Sequence, residues 1–530
     1  MNEVNKKEKL VQIMIKLVIA VIALILLFLS VMALAKTAYF DNTYATYNEK
    51  IFYKPDNIVI NLIGFSLGVA IIYSIYNLFL ILHIKNKYIF IILSALYVVA
   101  SVTWVVVTKS PLRADSRVIE MCASDFINGN YKFLERGQYL FHHPLQLGIV
   151  LAMELVYKIA GFQNPIIFKF LNILCSLIAI GYLYKISELI FKNEKVQKIL
   201  MILLAGCFIL VFFNVLVYGN IAGLMFGVIA IYYTLKYLDD KKKRYLLFII
   251  ISMILAIVLK SNYQVYMIGI SIALILDLFK KFRVQNIIAI IIMVIFAFSY
   301  STVIIKYMEK RTGLEIGKGI PMISYIHMGM ARPVDRASGW YNIDVNVEKT
   351  FIQAGLETEK ASEISKEEIK KRIKDMINTP VETLKFYYDK ILSTWIEPAF
   401  QTIWTSEPQE QFEEVSEKIS GNKILISIFD GKLNKVLLKY LDLFDILIFI
   451  STAFYCVTNF KNIGNKEFLL LVIFLGGFLF HILWETKSIY VIPYFVLLLP
   501  YAAAGIYELI KIINKITKKE EGKLLSDGSN

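Results

Sequence analysis

Residues 144–160 read PLQLGIVLAMELVYKIA, and whether they cross a membrane decides how the whole chain is threaded. The stretch is apolar, but it has only 17 residues, starts at a proline and carries Glu154 and Lys158. A crossing helix needs about 20 mostly apolar residues to span roughly 30 Å of hydrocarbon. Around it lie longer runs that meet the requirement better. YIFIILSALYVVASVTWVVV (88–107) and NIIAIIIMVIFAFSYSTVII (286–305) contain no charge, nor does VIALILLFLSVMALA (21–35). Such runs predict spans at 10–34, 58–83, 88–108, 166–190, 198–217, 221–238, 245–260, 264–280, 285–306, 437–458, 466–484 and 488–514. Lysine and arginine in short loops mark the cytoplasmic side. The clusters are NKKEK (5–9), HIKNK (83–87), FKNEKVQK (191–198), DDKKKR (239–244), KKFR (280–283), NFKNIGNK (459–466) and KKEEGK (518–523). Twelve spans put all of them on one side. Counting 144–160 as a thirteenth sends FKNEKVQK, DDKKKR and KKFR to the other. The segment is therefore expected to lie at, or dip into, the outer interface as an amphipathic helix.

The fold class expected is an all-α polytopic membrane protein, a bundle of about 12 transmembrane helices with juxtamembrane helices and a small helical outer domain. Of 530 residues, 57% are hydrophobic, 14% aromatic and 19% charged. The net charge of +14 is spread through short connections rather than gathered on one face, so no nucleic-acid partner is expected. The first run lacks a small-residue cleavage site and reads as an uncleaved helix. Cys175, Cys207 and Cys456 fall in apolar runs and Cys122 is alone in a hydrophilic loop, so no disulfide framework is expected. No Walker loop, GxGxxG or zinc-type cysteine spacing occurs, and no cofactor is expected.

This threading divides the chain into two N-terminal helices (1–87), a membrane module (88–306) with an outer loop at 109–143, an outer domain (307–436), and three C-terminal helices with a tail (437–530). Both termini face the cytoplasm. In the outer domain, Ser365-Lys-Glu-Glu368 and Thr379-Pro-Val-Glu382 have capping-box spacing, and Pro380 suits a first helical position. Ile369, Ile373, Met376 and Ile377 then share one apolar stripe.

The loop 109–143, KSPLRADSRVIEMCASDFINGNYKFLERGQYLFHH, is dense in chemistry. It holds Arg113, Asp115, Arg117, Glu120, Asp125, Arg136, His142 and His143, in a chain with five histidines. A carboxylate at the outer interface could act as general base on a hydroxyl. Asp115 equally suits the N-cap of a short helix beginning Ser-Arg-Val-Ile-Glu.

The order of these features resembles the GT-C superfamily of membrane glycosyltransferases, near its protein mannosyltransferase and aminoarabinose transferase branch. The resemblance rests on a span, an acidic residue opening the outer loop, Gly129-Asn-Tyr131, and Tyr139-Leu-Phe-His-His-Pro144-Leu-Gln-Leu-Gly148. It continues in Trp484-Glu-Thr-Lys-Ser-Ile-Tyr490-Val-Ile-Pro493-Tyr-Phe495. HMGMARPVDRASGWYN (327–342) is similar to the bacterial, Gram-positive members. It runs from residue 88 to about 512, leaving the first two helices as an addition. Many members carry a pair of acidic residues where Asp115 is followed by Ser116, so no metal is expected at this position.

The resemblance implies transfer of a sugar from a polyprenyl-phosphate donor, held in the membrane lipid, to an acceptor outside the cytoplasm: a cell-wall glycan, teichoic acid, lipid or protein. Asp115 matches the family's base, and direct attack would invert the anomeric centre. Cations should face the departing phosphate; the candidates are Lys260 and Lys487 at outer helix ends, with Arg113 and Arg117 beside Asp115. Lys260 could instead simply snorkel to the interface. Tyr139, His143, Gln146, Tyr218, Asn220, Asn262, Glu485, Tyr490 and Trp340 are the candidates for lining the substrate cavity, with Tyr341 beside Trp340. Trp395 and Trp404 are expected to anchor the outer domain on the bilayer. The rival reading is a transporter or flippase of lipid-linked glycans. That class tends to show internal repeats and midplane polar residues, and neither is evident here.

Overall fold

Apolar runs of 19 to 29 residues become single helices because every backbone N–H and C=O is then satisfied within the segment. The computed structural model describes residues 3–40, 50–332, 337–341, 345–407 and 422–527, with the side chains of 3–7 and 517–527 excepted. Among the described residues, ten helices are long and apolar enough to cross a membrane. They are Glu8–Ala35, Ile58–Ile81, Asn86–Thr108, Ile166–Phe191, Asn220–Asp240, Ser261–Lys280, Val284–Thr312, Lys432–Thr458, Asn465–Leu483 and Ile492–Ile516. The protein is an all-α, multi-pass membrane protein. Residues 333–336 and 342 of the 327–342 motif lie outside the described residues, as do 408–421 of the outer domain and the side chains of the 518–523 cluster.

Two expected spans form shorter elements. Residues 243–259 make a 17-residue helix, Lys243–Leu259. The run 198–217 breaks into Glu194–Gly206 and Phe208–Phe213. At the break the Gly206 carbonyl accepts a hydrogen bond from the Tyr440 hydroxyl (2.7 Å), which satisfies a carbonyl that a helix end leaves open. Beyond Phe213 the chain is again non-helical, and Asn172 Nδ2 donates to the carbonyls of Asn214 (3.0 Å) and Leu216 (2.9 Å). Gly219 follows at φ +79°, passing so close to the Leu259 carbonyl that a Cβ could not fit. That approach lays Tyr218 against the end of the Lys243–Leu259 helix.

The stretch 144–160 is a 3-10 turn, Pro144–Gln146, followed by a 14-residue helix, Leu147–Ala160. It bends by 106° from the preceding Lys132–His142 segment, so the two form no straight crossing. Its charges have partners. Arg311, at the end of Val284–Thr312, grips buried Glu154 with two hydrogen bonds of 2.8 and 2.5 Å, and Lys158 adds a third at 2.6 Å.

An antiparallel hairpin, Lys36–Phe40 with Ile51–Pro55 and Ala38 opposite Tyr53, follows the first helix. Among the described residues, the outer domain includes the helices Met322–Gly329, Val347–Gln353, Thr358–Asn378, Pro380–Trp395 and Lys423–Asp430. Three details of its reading are corrected. Ser365 is no cap: the helix begins at Thr358, and Ser365 is buried mid-helix, bonded to Ser324 Oγ (2.7 Å). Pro380 does open the next helix, but Thr379 Oγ1 donates to the Asp375 carbonyl and Glu382 pairs with Arg332, so no capping box forms. The apolar stripe divides, with Met376 and Ile369 in a small core beside Phe386 and Met330 while Ile373 and Ile377 are exposed. All four cysteines are free thiols.

Candidate active site

Helix ends and the segments that join them meet at a cavity of about 420 Å³. One wall begins at Arg113, whose extended backbone gives way to Ala114 in the left-handed region (φ +45°). Left-handed backbone at a non-glycine residue costs roughly 1–2 kcal/mol, and such strain often gathers at working sites. Asp115 is the next residue. It sits in the first turn of Ala114–Ile127, where the helix dipole favours a carboxylate. Arg113, not Asp115, holds the N-cap position.

Tyr218 contacts Asp115 and is itself met by Gln146 and Lys260. Tyr218 Oη donates to Asp115 Oδ2 (2.8 Å), and Gln146 Nε2 donates to Tyr218 Oη (2.8 Å). Lys260 Nζ lies 3.2 Å from the centre of the Tyr218 ring, a cation–π contact. Burial, and then the charge of Asp115, push the Tyr218 phenol well above its usual range, so it remains a proton donor. The ring therefore joins the carboxylate to the cation.

The opposite wall comes from the outer domain. His143 Nδ1 is 3.1 Å from Tyr325 Oη, and His143 Nε2 is 3.0 Å from Glu348 Oε1. The hydrogen bond from His143 holds the Glu348 carboxyl below its usual range. Burial, with Asp115, Glu485 and Glu348 nearby, raises the Tyr325 phenol. Tyr325 stacks on Trp484 (6.1 Å between ring centres, 6° between planes), and Trp484 stacks on Phe480 (5.0 Å, 20°). Flat aromatic faces of this kind suit the C–H faces of sugars as well as one another.

The third side is the segment after Asn465–Leu483. Glu485 N donates to the Tyr325 carbonyl and Thr486 N to the Gly339 carbonyl, both at 3.0 Å. The buried Lys390 ammonium donates to the carbonyls of Gly329 (2.5 Å), Ile482 (2.8 Å) and Trp484 (2.8 Å). Three acceptors match its three N–H bonds. This staple fixes Trp484, and with it Glu485 and Lys487, against the outer domain. Lys487 lies 5.8 Å from the centre of the Tyr341 ring.

Asp115, Lys260, Lys487, His143, Gln146, Tyr218, Asn262, Glu485 and Tyr490 all line the cavity. Five other expected residues do not. Arg113 is buried, donates to the Glu407 carbonyl and lies 5.1 Å from the Trp404 ring. Arg117 is exposed on the Ala114–Ile127 helix. The Tyr139 ring is 4.9 Å from that of His143, and its buried phenol is beside Asp115, whose charge adds to burial in raising it. Asn220 is buried at a helix start, where its carbonyl accepts from Tyr263. Trp340 is wholly enclosed, its Nε1 donating to Ser393 Oγ (3.2 Å) and its ring stacked on Phe40. Of the expected tryptophan anchors, Trp395 is instead buried against Phe474 and Phe478, while Trp404 is half-buried against Phe40. Tyr325, Glu348, Trp484, Ser261 and Gln264 also line the cavity and are not among the sequence candidates. Tyr325 and Glu348 meet His143 only through contacts 182 and 205 residues apart in sequence, for which no local pattern exists. Among the described residues, no group of three or more His, Cys, Asp or Glu side chains is placed to hold a metal ion.

Two comparisons with known proteins give a match. The family model for dolichyl-phosphate-mannose-protein mannosyltransferase matches residues 142–305, which include His143, Gln146, Tyr218, Lys260 and Asn262. A solved structure of the archaeal oligosaccharyltransferase AglB from Archaeoglobus fulgidus, in complex with an inhibitory peptide and a dolichol-phosphate, aligns with a TM-score of 0.40 and 12% identity. The alignment covers 82% of this chain and 52% of that one, so the chain spans about half of that protein's length. No curated protein matches. Residues 142–305, less than a third of the chain, are thus similar to the dolichyl-phosphate-mannose-protein mannosyltransferase family.

Proposed function

We propose that the cavity transfers a sugar from a polyprenyl-phosphate donor to an acceptor hydroxyl on the non-cytoplasmic side of the membrane. The observation that carries this reading is the Asp115–Tyr218–Lys260 arrangement: a base for the acceptor and a cation for the leaving group, joined through one phenol. The family match supports the reaction class, and the lysine-rich loops support the side of the membrane.

In the proposed step the acceptor oxygen attacks the anomeric carbon and its proton passes to a carboxylate oxygen of Asp115. The new C–O bond forms as the bond between the anomeric carbon and the phosphate oxygen breaks. The electron pair leaves on the lipid phosphate, and the anomeric centre inverts. Lys260 and Lys487 face the growing phosphate charge, which is where fixed cations lower a barrier most. Tyr218 and Gln146 hold Asp115 in place. Tyr325, Trp484 and Phe480 present a flat surface to the sugar, and Tyr341 and Glu348 border the acceptor side.

The test is a transfer assay on purified full-length protein in lipid nanodiscs, with a panel of radiolabelled polyprenyl-phosphate hexoses and pentoses and a cell-envelope extract as acceptor. The proposal expects label from one donor to enter acceptor material and free polyprenyl phosphate to accumulate in equal amount. Release of polyprenyl diphosphate, or movement of intact donor across the bilayer without cleavage, would overturn it.

A further inference from the structure

The Pro380–Trp395 helix leaves an apolar face uncovered, and its neighbours indicate what covers that face. Tyr388 packs edge-on against Phe28 of the first span, with ring centres 6.5 Å apart. Phe28 lies between Leu24 and Val31 at spacings of four and three residues, on the stripe of that helix that faces outward into lipid. The contact thus lies on the lipid-facing surface. Leu384 and Val381 sit four and seven residues before Tyr388, on the same face of its helix. They are 73% and 78% exposed, and Ile377, just before the bend at Pro380, is 73% exposed. Three large apolar side chains protruding together from a polar bend are unusual on a surface that meets only water.

Level and charge agree with continuity. Lys36, the first residue after the first span, holds its ammonium 5.2 Å from the centre of the Tyr388 ring. Tyr53 in the hairpin donates to the Asp389 carbonyl (2.8 Å). The helix is thus held at the outer end of the first span, where headgroups meet hydrocarbon. Lys385, exposed beside Leu384, can extend its ammonium toward headgroup phosphates while its stem stays among apolar atoms.

We infer that the bend at 377–384 is seated in the bilayer interface, so that the outer domain rests on membrane lipid at Ile377, Val381 and Leu384. The same helix carries Lys390, the staple at the cavity wall, so the lipid seat and the cavity share one rigid element. The occupant is the interfacial zone of the bilayer, and this assignment is independent of the sugar transferred.

The test uses full-length protein with Cys175→Ala, the other native cysteines being buried. Val381→Cys and Leu384→Cys are labelled with an environment-sensitive fluorophore in nanodiscs containing lipids spin-labelled near the headgroup. Leu24→Cys serves as the lipid-facing control and Glu363→Cys, exposed on the outer domain, as the aqueous control. Both test positions should show blue-shifted emission and loss of fluorescence to the spin-labelled lipid, with little loss to aqueous iodide. Quenching by iodide as strong as at Glu363→Cys would overturn the inference. Shielding from both quenchers would also overturn it, by indicating a protein occupant.

Discussion

Tyr218 donates a 2.8 Å hydrogen bond to Asp115 while its ring carries Lys260 on one face, so one side chain orients the carboxylate and seats the cation. The two roles separate by mutation. Tyr218→Phe removes the hydrogen bonds to Asp115 and from Gln146 but keeps the aromatic face. It is expected to lower kcat by about tenfold, the scale of one hydrogen bond to a charged group, with KM for the donor little changed. Tyr218→Ala removes the ring as well and should raise that KM in addition. Steady-state kinetics in nanodiscs would check the split; equal effects from both variants would assign Tyr218 a purely structural role.

Lys390 concerns stability. Its removal strands the carbonyls of Gly329, Ile482 and Trp484, the first of them in a buried pair, and an unsatisfied buried polar group costs about 1–3 kcal/mol. Lys390→Met should therefore destabilise the protein by on the order of 3 kcal/mol and lower the melting temperature in detergent. Gly329→Ala should act in the same direction, because its Cβ would collide with backbone atoms of Trp484 and Glu485. A melting temperature equal to the parent's in both variants would show that the staple contributes nothing.

The His143–Glu348 contact latches the outer domain to the 109–143 loop and predicts a pH response of definite sign. Hydrogen bonding to His143 lowers the Glu348 pKa. A carboxyl whose folded pKa is depressed contributes stability above its unfolded value, and that contribution is lost as pH falls through the folded one. Amide exchange in Val347–Gln353 should quicken as pH drops below the usual glutamate range, after correction for the intrinsic exchange rate. In Glu348→Gln it should already be fast at neutral pH and show no such transition. A transition that persists in Glu348→Gln would locate the latch elsewhere.

Topology gives a simpler check. If Leu147–Ala160 does not cross, Phe162→Cys should react with a membrane-impermeant maleimide in intact cells. Reaction only after permeabilisation would invert the threading from that point onward.

These expectations were legible in the sequence to different degrees, for physical reasons. Spans announce themselves locally, since hydrocarbon tolerates little besides long uncharged helices. The charge parity of the loops also sets 144–160 apart, a stretch whose 14-residue helix bends by 106° from the segment before it. Asp115, Lys260 and Tyr218, which line one cavity, stand out as candidates because each sits where a helix ends beside a short motif. Arg113 and Trp340 were misplaced for the opposite reason. Proximity in sequence to Asp115 or Tyr341 says nothing about where a side chain points, and both turn inward to Glu407 and Ser393, hundreds or tens of residues away. The break at Gly206 was hidden as well, because its partner, Tyr440, lies in a distant helix.

The central claim is that Asp115 takes the acceptor's proton, and Asp115→Asn tests it most directly. The asparagine keeps the size and an oxygen to accept from Tyr218 but cannot act as base. Single-turnover transfer from a bound polyprenyl-phosphate sugar should fall by about 10²–10⁴-fold, the usual scale for general-base catalysis, while donor affinity and melting temperature stay at the parent values. Transfer at the parent rate in Asp115→Asn, with donor bound to the same extent, would contradict the account.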